Sequence, residues 1–156
     1  MTLHFAYGAN MSRKVMRRHA PSAQPVGAGQ LAGYRFVITP DGYASLAPCP
    51  AEVVHGVLWR LTARDRVTLD AWENVAAGLY RARTLPVRVQ GRRAQALVYL
   101  ARPGGEGRPK PGYMELVMAA GREWDLPDAY LQALERWLPA GPPKVKRPAA
   151  KIGEFG

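Results

Sequence analysis

The apolar positions of this chain fall into short runs separated by glycine and proline, a pattern typical of β-strands. Several runs are rich in aromatic and β-branched residues, and the last two meet at Gln90-Gly91, a dipeptide that suits a hairpin turn. The predicted strands are residues 3–7, 34–39, 53–59, 80–89 and 92–101. Residues 43–47 are expected to pair across the turn at 40–42, whereas residues 24–31 suit either a loop or an irregular edge strand.

Helical segments lie between these strands, and their first residues carry recognisable start signals. Ser12 and Thr62 are favoured N-cap types, Asp65 follows Thr62 at capping-box spacing, and Pro127 suits a first helical turn. The predicted helices are residues 13–20, 63 to about 73, about 112–123, and 127 to about 137. Because the strands come mostly in neighbouring antiparallel runs, we expect an α+β fold, either a curled mixed sheet or a small β-barrel.

The composition suits one folded domain with a basic surface. We expect the domain at residues 1–140 and a Pro/Lys-rich basic tail at 141–156. With 22 Lys and Arg against 12 Asp and Glu, the net charge of +10 favours anionic partners. The cations are dispersed, however, and the dense run at 144–151 lacks the interleaved aromatic residues that stack on bases. A solvated basic surface is therefore favoured over a nucleic-acid interface.

The sequence gives little support to metal, nucleotide or cysteine chemistry. His4, His19 and His55 are not spaced as metal ligands, and His4 and His55 are expected to be packed or surface residues of strands. Cys49 lies between two prolines and is expected to be an inert thiol, and a lone cysteine fits a reducing compartment. We see neither a signal-peptide pattern nor an apolar run of membrane-span length, so we expect a cytoplasmic protein without membrane contact.

The turn Tyr7-Gly8-Ala9-Asn10, directly after the first strand, is the first candidate site. Glycine adopts backbone angles that are closed to other residues, and asparagine tolerates them better than most. A strand, a tight turn and a helix start can together direct backbone N–H groups at an anion without a charged side chain. We therefore expect this turn to bind an oxyanion or a carboxylate.

Glu73, in the last turn of the mid-chain helix, is the second candidate. The negative end of the helix dipole and the apolar neighbours Trp72 and Val75 would both raise its pKa above about 4.3. A raised pKa is what a general acid or base needs near neutral pH. On this segment alone, a solvated glutamate at a helix end is the favoured alternative.

Several motifs together resemble the gamma-glutamylcyclotransferase-like family. They are Tyr7-Gly8-Ala9-Asn10 after an apolar strand, Leu69-Asp70-x-x-Glu73, Gly78-x-Tyr80 at a strand start, Tyr113 before a helix, and Leu126-Pro127-x-x-Tyr130. The match covers residues 3–137 in order and spacing, which makes it much more specific than any single motif. The resemblance implies a small mixed β-barrel flanked by helices, a ligand cavity at its mouth, no metal or cofactor, and a plausible homodimer.

The resemblance also implies a role for each matching residue. Glu73 would be the catalytic acid/base, in an acyltransferase or lyase reaction that converts a γ-glutamyl amide into 5-oxoproline and a free amine or amino acid. The substrate-binding residues that it implies are Tyr7, Gly8, Ala9, Asn10 and Tyr113.

The chain departs from the family pattern at two positions. Ala9 stands where the family commonly has serine, and Asn74 stands where it often has glycine. A backbone N–H survives at Ala9 but a hydroxyl contact does not. The alternative function is a non-catalytic module on the same fold, which holds a small anionic metabolite or contacts nucleic acid through its basic surface.

Overall fold

The computed structural model describes residues 1–139, which form a closed five-stranded β-barrel with helices packed around it. The strands are β1 (Thr2–Ala6), β2 (Gln24–Ile38), β3 (Ala44–Leu61), β4 (Tyr80–Val89) and β5 (Arg92–Ala101). The α-helices are α1 (Arg13–His19), α2 (Ala63–Trp72), α3 (Tyr113–Glu123) and α4 (Asp128–Leu134), and short 3₁₀ helices occupy Ala9–Met11 and Glu135–Trp137. The predicted tail at 141–156 lies outside the described residues, and the domain boundary at 140 stays a prediction.

The barrel closes because β1 pairs along both of its edges. It runs antiparallel to β3, with Phe5 opposite Leu58, and parallel to β5, where His4 lies opposite Leu97. The order around the barrel is β1-β3-β2-β4-β5. The predicted α+β fold with a small mixed barrel is confirmed, and the barrel form is the correct one of the two proposed.

The structure differs most from the predicted elements in the second and third strands. Of the two alternatives for residues 24–31, the irregular strand is the correct one, because they form the first half of β2 and pair with β3 through a register shift at Pro25/Gly27. They are continuous with the predicted strand at 34–39. The segments 43–47 and 53–59 are the two ends of one 18-residue strand. Register shifts at Pro25/Gly27 and Ala32/Tyr34 accommodate the glycine and proline residues that suggested breaks.

The helix starts follow the sequence signals closely. The Ser12 hydroxyl accepts the Val15 N–H at 3.3 Å, and Thr62 and Asp65 form the predicted capping box. The predicted hairpin is also confirmed, since Gln90 and Gly91 both take positive φ, at 51° and 74°. The last helix begins at Asp128, one residue after Pro127, and its final turn tightens into a 3₁₀ helix.

Candidate functional site

A cavity of about 370 Å³ opens where β1 leaves the barrel. The turn after β1 forms one side of it, and the end of α2 with the following residues forms another. The cavity brings together all six residues that the resemblance assigned to the site: Tyr7, Gly8, Ala9, Asn10, Glu73 and Tyr113. These residues come from three segments that are far apart in the sequence, so the fold alone makes them neighbours.

Gly8 is required at the turn by close packing. A Cβ atom built at Gly8 would lie 2.8 Å from the Tyr113 hydroxyl oxygen and 3.1 Å from the Ala44 Cβ atom. The backbone angles of Gly8, φ −120° and ψ −134°, belong to neither the helical nor the extended region. The Met11 N–H donates to the Gly8 carbonyl at 3.1 Å and closes the turn into the 3₁₀ helix.

Tyr113 connects this turn to the start of β3. Its hydroxyl oxygen accepts the N–H of Ala44 at 3.2 Å, and the Ala9 backbone also hydrogen-bonds to it. Burial raises the pKa of the Tyr113 hydroxyl, which therefore stays neutral near pH 7. The Ala9 backbone is thus already engaged by Tyr113, and Ala9 offers no side-chain hydroxyl in its place.

Asn10 provides an unusual acceptor in the cavity wall. The residue is only 8% exposed, and its carboxamide oxygen has no hydrogen-bond partner within residues 1–139. Leaving a buried polar atom unpaired costs about 1–3 kcal/mol. Such an atom beside a cavity is well placed to accept a hydrogen bond from a bound ligand.

Glu73 is the C-cap of α2, one residue after the helix ends. Its N–H still donates to the Leu69 carbonyl at 2.9 Å, which fixes its backbone. Asn74 follows with φ 53°, in the left-handed region that glycine adopts freely and asparagine tolerates. The departure from glycine at this position is therefore compatible with the turn.

The Glu73 carboxyl is isolated from polar partners. The residue is partly exposed where it faces the open cavity, and neighbouring protein atoms remove much of the water around its carboxyl. Within residues 1–139 it makes neither a hydrogen bond nor an ion pair with another side chain. Burial raises its pKa to about 7, so the carboxyl exchanges a proton at neutral pH. Glu73 is therefore less solvated than an ordinary glutamate at a helix end.

Five tyrosines line the cavity: Tyr7, Tyr43, Tyr80, Tyr99 and Tyr113. For Tyr7, Tyr80, Tyr99 and Tyr113, burial is the largest cause that raises the pKa of the hydroxyl, and the nearby negative charge of Glu73 raises it further. All four hydroxyls are therefore neutral near pH 7. The cavity wall thus consists of aromatic rings and neutral dipoles, which explains why ionised Glu73 is poorly stabilised there.

Hydrogen bonds to fixed partners hold the three tyrosines on the barrel side. Tyr7 donates to the carbonyl of Tyr99, and Tyr80 donates to the carbonyl of Ala44 at 2.8 Å. The Tyr99 hydroxyl donates to Asp70 at 2.6 Å, and Arg66 pairs with the same carboxylate at 3.1 Å. Asp70 lies one helical turn before Glu73, so the barrel wall and the end of α2 are tied together.

The sequence did not single out all of the cavity residues. Tyr80 belonged to the quoted motifs but had no assigned role, and Tyr99 carried no local signal. Asp70, which accepts the Tyr99 hydroxyl from outside the cavity lining, also belonged to a quoted motif without a role. His4 is buried, as one reading of its strand position allowed, and it borders the cavity. Its Nδ1 atom lies 3.1 Å from the Leu97 carbonyl, and burial lowers the pKa of its ring to about 4, so it is neutral.

Other chemistry finds little support within residues 1–139. No group of three or more potential ligand side chains could hold a metal ion in this range. Cys49 is partly exposed, with its sulfur 3.4 Å from the Glu52 carboxylate. Among the helices of this range, none is long and apolar enough to cross a membrane.

Comparisons with known proteins agree with the motif pattern. A model of the AIG2-like family matches residues 53–134. The chain is 26% identical to mouse gamma-glutamylcyclotransferase over 144 residues, which cover 85% of this chain and 77% of the mouse protein, and 25% identical to the human protein with the same coverage. A solved structure of a gamma-glutamyl cyclotransferase superposes with a TM-score of 0.84 at 22% identity, covering 98% of this chain and 95% of that one. The resemblance drawn from the motifs is confirmed.

Proposed function

Because this chain belongs to the AIG2-like family, we propose that it is a γ-glutamylcyclotransferase-type enzyme that acts without a cofactor. Its reaction is the intramolecular aminolysis of a γ-glutamyl amide, which yields 5-oxoproline and a free amine or amino acid. The observation that carries the proposal is the unpaired Glu73 carboxyl, with its pKa raised to about 7, in a cavity beside the Tyr7–Asn10 turn.

The substrate supplies its own nucleophile, so the protein needs only to move protons and hold a conformation. Ionised Glu73 takes a proton from the substrate α-ammonium, and the resulting amine attacks the γ-carbonyl carbon. The new C–N bond closes the five-membered ring and leaves the ring nitrogen with one surplus proton. Protonated Glu73 gives its proton to the departing nitrogen, the original amide C–N bond breaks, and Glu73 takes the surplus proton from the ring nitrogen. The released amine then takes this proton, so Glu73 ends ionised, as it began.

The raised pKa of Glu73 brings its basicity close to that of the substrate amine. An α-amine has a pKa of about 8, so an ordinary glutamate would be about 3.5 units weaker, which amounts to about 5 kcal/mol. A glutamate with a pKa of about 7 leaves a gap of about one unit, or about 1.4 kcal/mol. Burial of the carboxyl therefore removes most of the cost of the first proton transfer.

The turn after β1 would hold the reacting end of the substrate. The unpaired carboxamide oxygen of Asn10 suits a hydrogen bond from the α-ammonium, and the Gly8 backbone borders the same space. Tyr7 and Tyr113 would enclose the glutamyl chain and keep it folded toward ring closure. Fixing such a conformer contributes several kcal/mol to the lowering of a barrier.

A direct test is a product assay on the full-length protein with γ-glutamyl dipeptides, γ-glutamylamines and glutathione. We expect 5-oxoproline, detected by mass spectrometry, from at least one of these classes in buffer that contains EDTA and no added cofactor. Failure to form 5-oxoproline from all three classes would contradict the enzymatic proposal. Salt-sensitive binding of generic DNA or RNA in the same preparation would then favour the nucleic-acid alternative.

A further inference from the structure

A second depression, which we call the outer groove, adjoins the cavity on the side away from β1. It has a volume of about 850 Å³. Tyr43, Asn74, Leu79 and Tyr80 line both the cavity and the outer groove, so the two spaces share a wall. A molecule whose glutamyl end lies at Glu73 would extend into this groove.

Charged side chains distinguish the outer groove from the inner cavity. Arg102 and Lys110 line it, and neither forms an ion pair with another residue between 1 and 139. Arg102 is attached to one wall, where its guanidinium donates to the Gly78 carbonyl at 2.9 Å. The backbone N–H of Lys110 donates to the Gly42 carbonyl at 3.1 Å, so Lys110 lies on another part of the groove wall. The two cations therefore stand on different segments of the wall.

Asp41 also lines the outer groove. This group lies close enough to Tyr80 to raise the pKa of that hydroxyl further, after burial and other nearby groups. Asp41 is therefore placed toward the shared wall between the two spaces. The groove combines an acceptor near the cavity with two cations from the surrounding segments.

We propose that the outer groove binds the leaving group, and that this group is a peptide of two or more residues with a free terminal carboxylate. The inference rests on the proposed function for the glutamyl end of the substrate. A peptide offers backbone N–H donors, which complement Asp41, and a terminal carboxylate, which complements Arg102 and Lys110. A simple γ-glutamylamine lacks the carboxylate and leaves both cations without a partner.

The size of the groove supports the same leaving group. A cavity of about 150 Å³ is sufficient for a molecule of six carbon atoms. The inner cavity, at about 370 Å³, accommodates the glutamyl group and the scissile amide. The outer groove, at about 850 Å³ and open to solvent, has room for a peptide beyond the glutamyl group.

The test measures binding by calorimetry on full-length protein carrying Glu73→Gln, so that the ligands stay intact. The ligands are γ-Glu-Ala-Ala-Ala, the same peptide with a terminal carboxamide, and γ-glutamylbutylamine. Exposed ion pairs contribute about 0.2–1 kcal/mol each, so we expect the free acid to bind about fivefold more tightly than the carboxamide. We expect it to bind at least fivefold more tightly than the amine.

Two further substitutions locate the effect. Adding Arg102→Gln and Lys110→Gln should equalise the affinities for acid and carboxamide, and Lys110→Gln alone should reduce the difference without disturbing the Gly78 contact. The matched control is Arg92→Gln with Arg93→Gln, which removes the same charge at the opposite end of the β4–β5 hairpin. This control should keep the preference for the acid.

Equal affinities for acid and carboxamide in the Glu73→Gln protein, or tighter binding of the amine, would overturn the inference. So would loss of the preference in the Arg92/Arg93 control, because general surface charge would then explain it. Turnover is measured separately with the unsubstituted protein. If no peptide yields 5-oxoproline while the preference for the acid persists, the proposed reaction fails and the peptide groove stands.

Discussion

Replacement of Glu73 by glutamine is expected to lower kcat for 5-oxoproline formation by at least about 100-fold, the lower end of what general acid–base catalysis contributes. Glutamine has nearly the same shape as glutamate but cannot take a proton from the substrate ammonium or return one to the leaving nitrogen. KM should change much less, because the Tyr7–Asn10 turn that would hold the substrate is unaltered. Steady-state kinetics on the most active substrate of the panel measure both constants.

The matched control is Glu115→Gln, on the exposed side of α3, which should keep full activity. Melting curves test whether the Glu73 variant is folded, and we expect it to be more stable than the parent at pH 8. The pKa of Glu73 is about 7 in the folded chain, against an ordinary value of 4.5. Between pH 4.5 and 7 the folded state therefore binds more protons than the unfolded state, so the folded state loses stability as the pH rises to about 7. Glutamine removes that loss. Unchanged turnover in the folded variant would exclude Glu73 from the mechanism.

A second large effect is expected from Gly56→Ala in β3. A Cβ atom at Gly56 would overlap the Ala6 carbonyl oxygen and lie 2.8 Å from the Phe5 ring. Backbone on one side and a fully buried ring on the other leave little room to adjust. Overpacking of this kind costs about 3 kcal/mol, which lowers the melting temperature by about 10 °C in a chain of this length.

Gly104→Ala is the matched control, because the nearest atom to a Cβ there is the Arg102 carbonyl oxygen at 3.8 Å. It should melt within about 2 °C of the parent, in line with an exposed change that touches nothing. The Gly56 variant should also lose activity, since Ala6 directly precedes the Tyr7–Asn10 turn. A Gly56→Ala protein as stable as the control would show that β1 and β3 are not packed as described.

Elements whose signals are local could be predicted from the sequence almost to the residue. The β4–β5 hairpin has its turn at Gln90-Gly91, and the two helix starts at Ser12 and Thr62 depend on hydrogen bonds within three residues. The lengths of β2 and β3 could not be predicted in this way. Glycine and proline at 25–33 indicate breaks when read locally, yet pairing with β3 across the whole hairpin supplies enough hydrogen bonds to carry the strand through two register shifts.

The same difference between local signals and long-range packing decides which features of the candidate site could be predicted. Glu73 and the Tyr7–Asn10 turn could be identified because short motifs carry them. The size of the pKa shift of Glu73 could not, because it depends on the cavity around the carboxyl, whose wall includes Tyr80 from β4 and Tyr99 from β5. The helix dipole, one of the two causes expected for the raised pKa, is not needed, since burial accounts for it. The homodimer and the cytoplasmic location stay predictions.

The protonation of Glu73 is the property on which the proposed mechanism depends, and a carbon-13 NMR titration of its side-chain carboxyl measures it directly. Labelled full-length protein is titrated from pH 4 to pH 9, and the Glu73 signal is assigned by its absence from the Glu73→Gln variant. The buried carboxyl should titrate with a midpoint near pH 7. A midpoint near 4.5, the ordinary value for a solvated glutamate, would contradict a buried acid/base at this position.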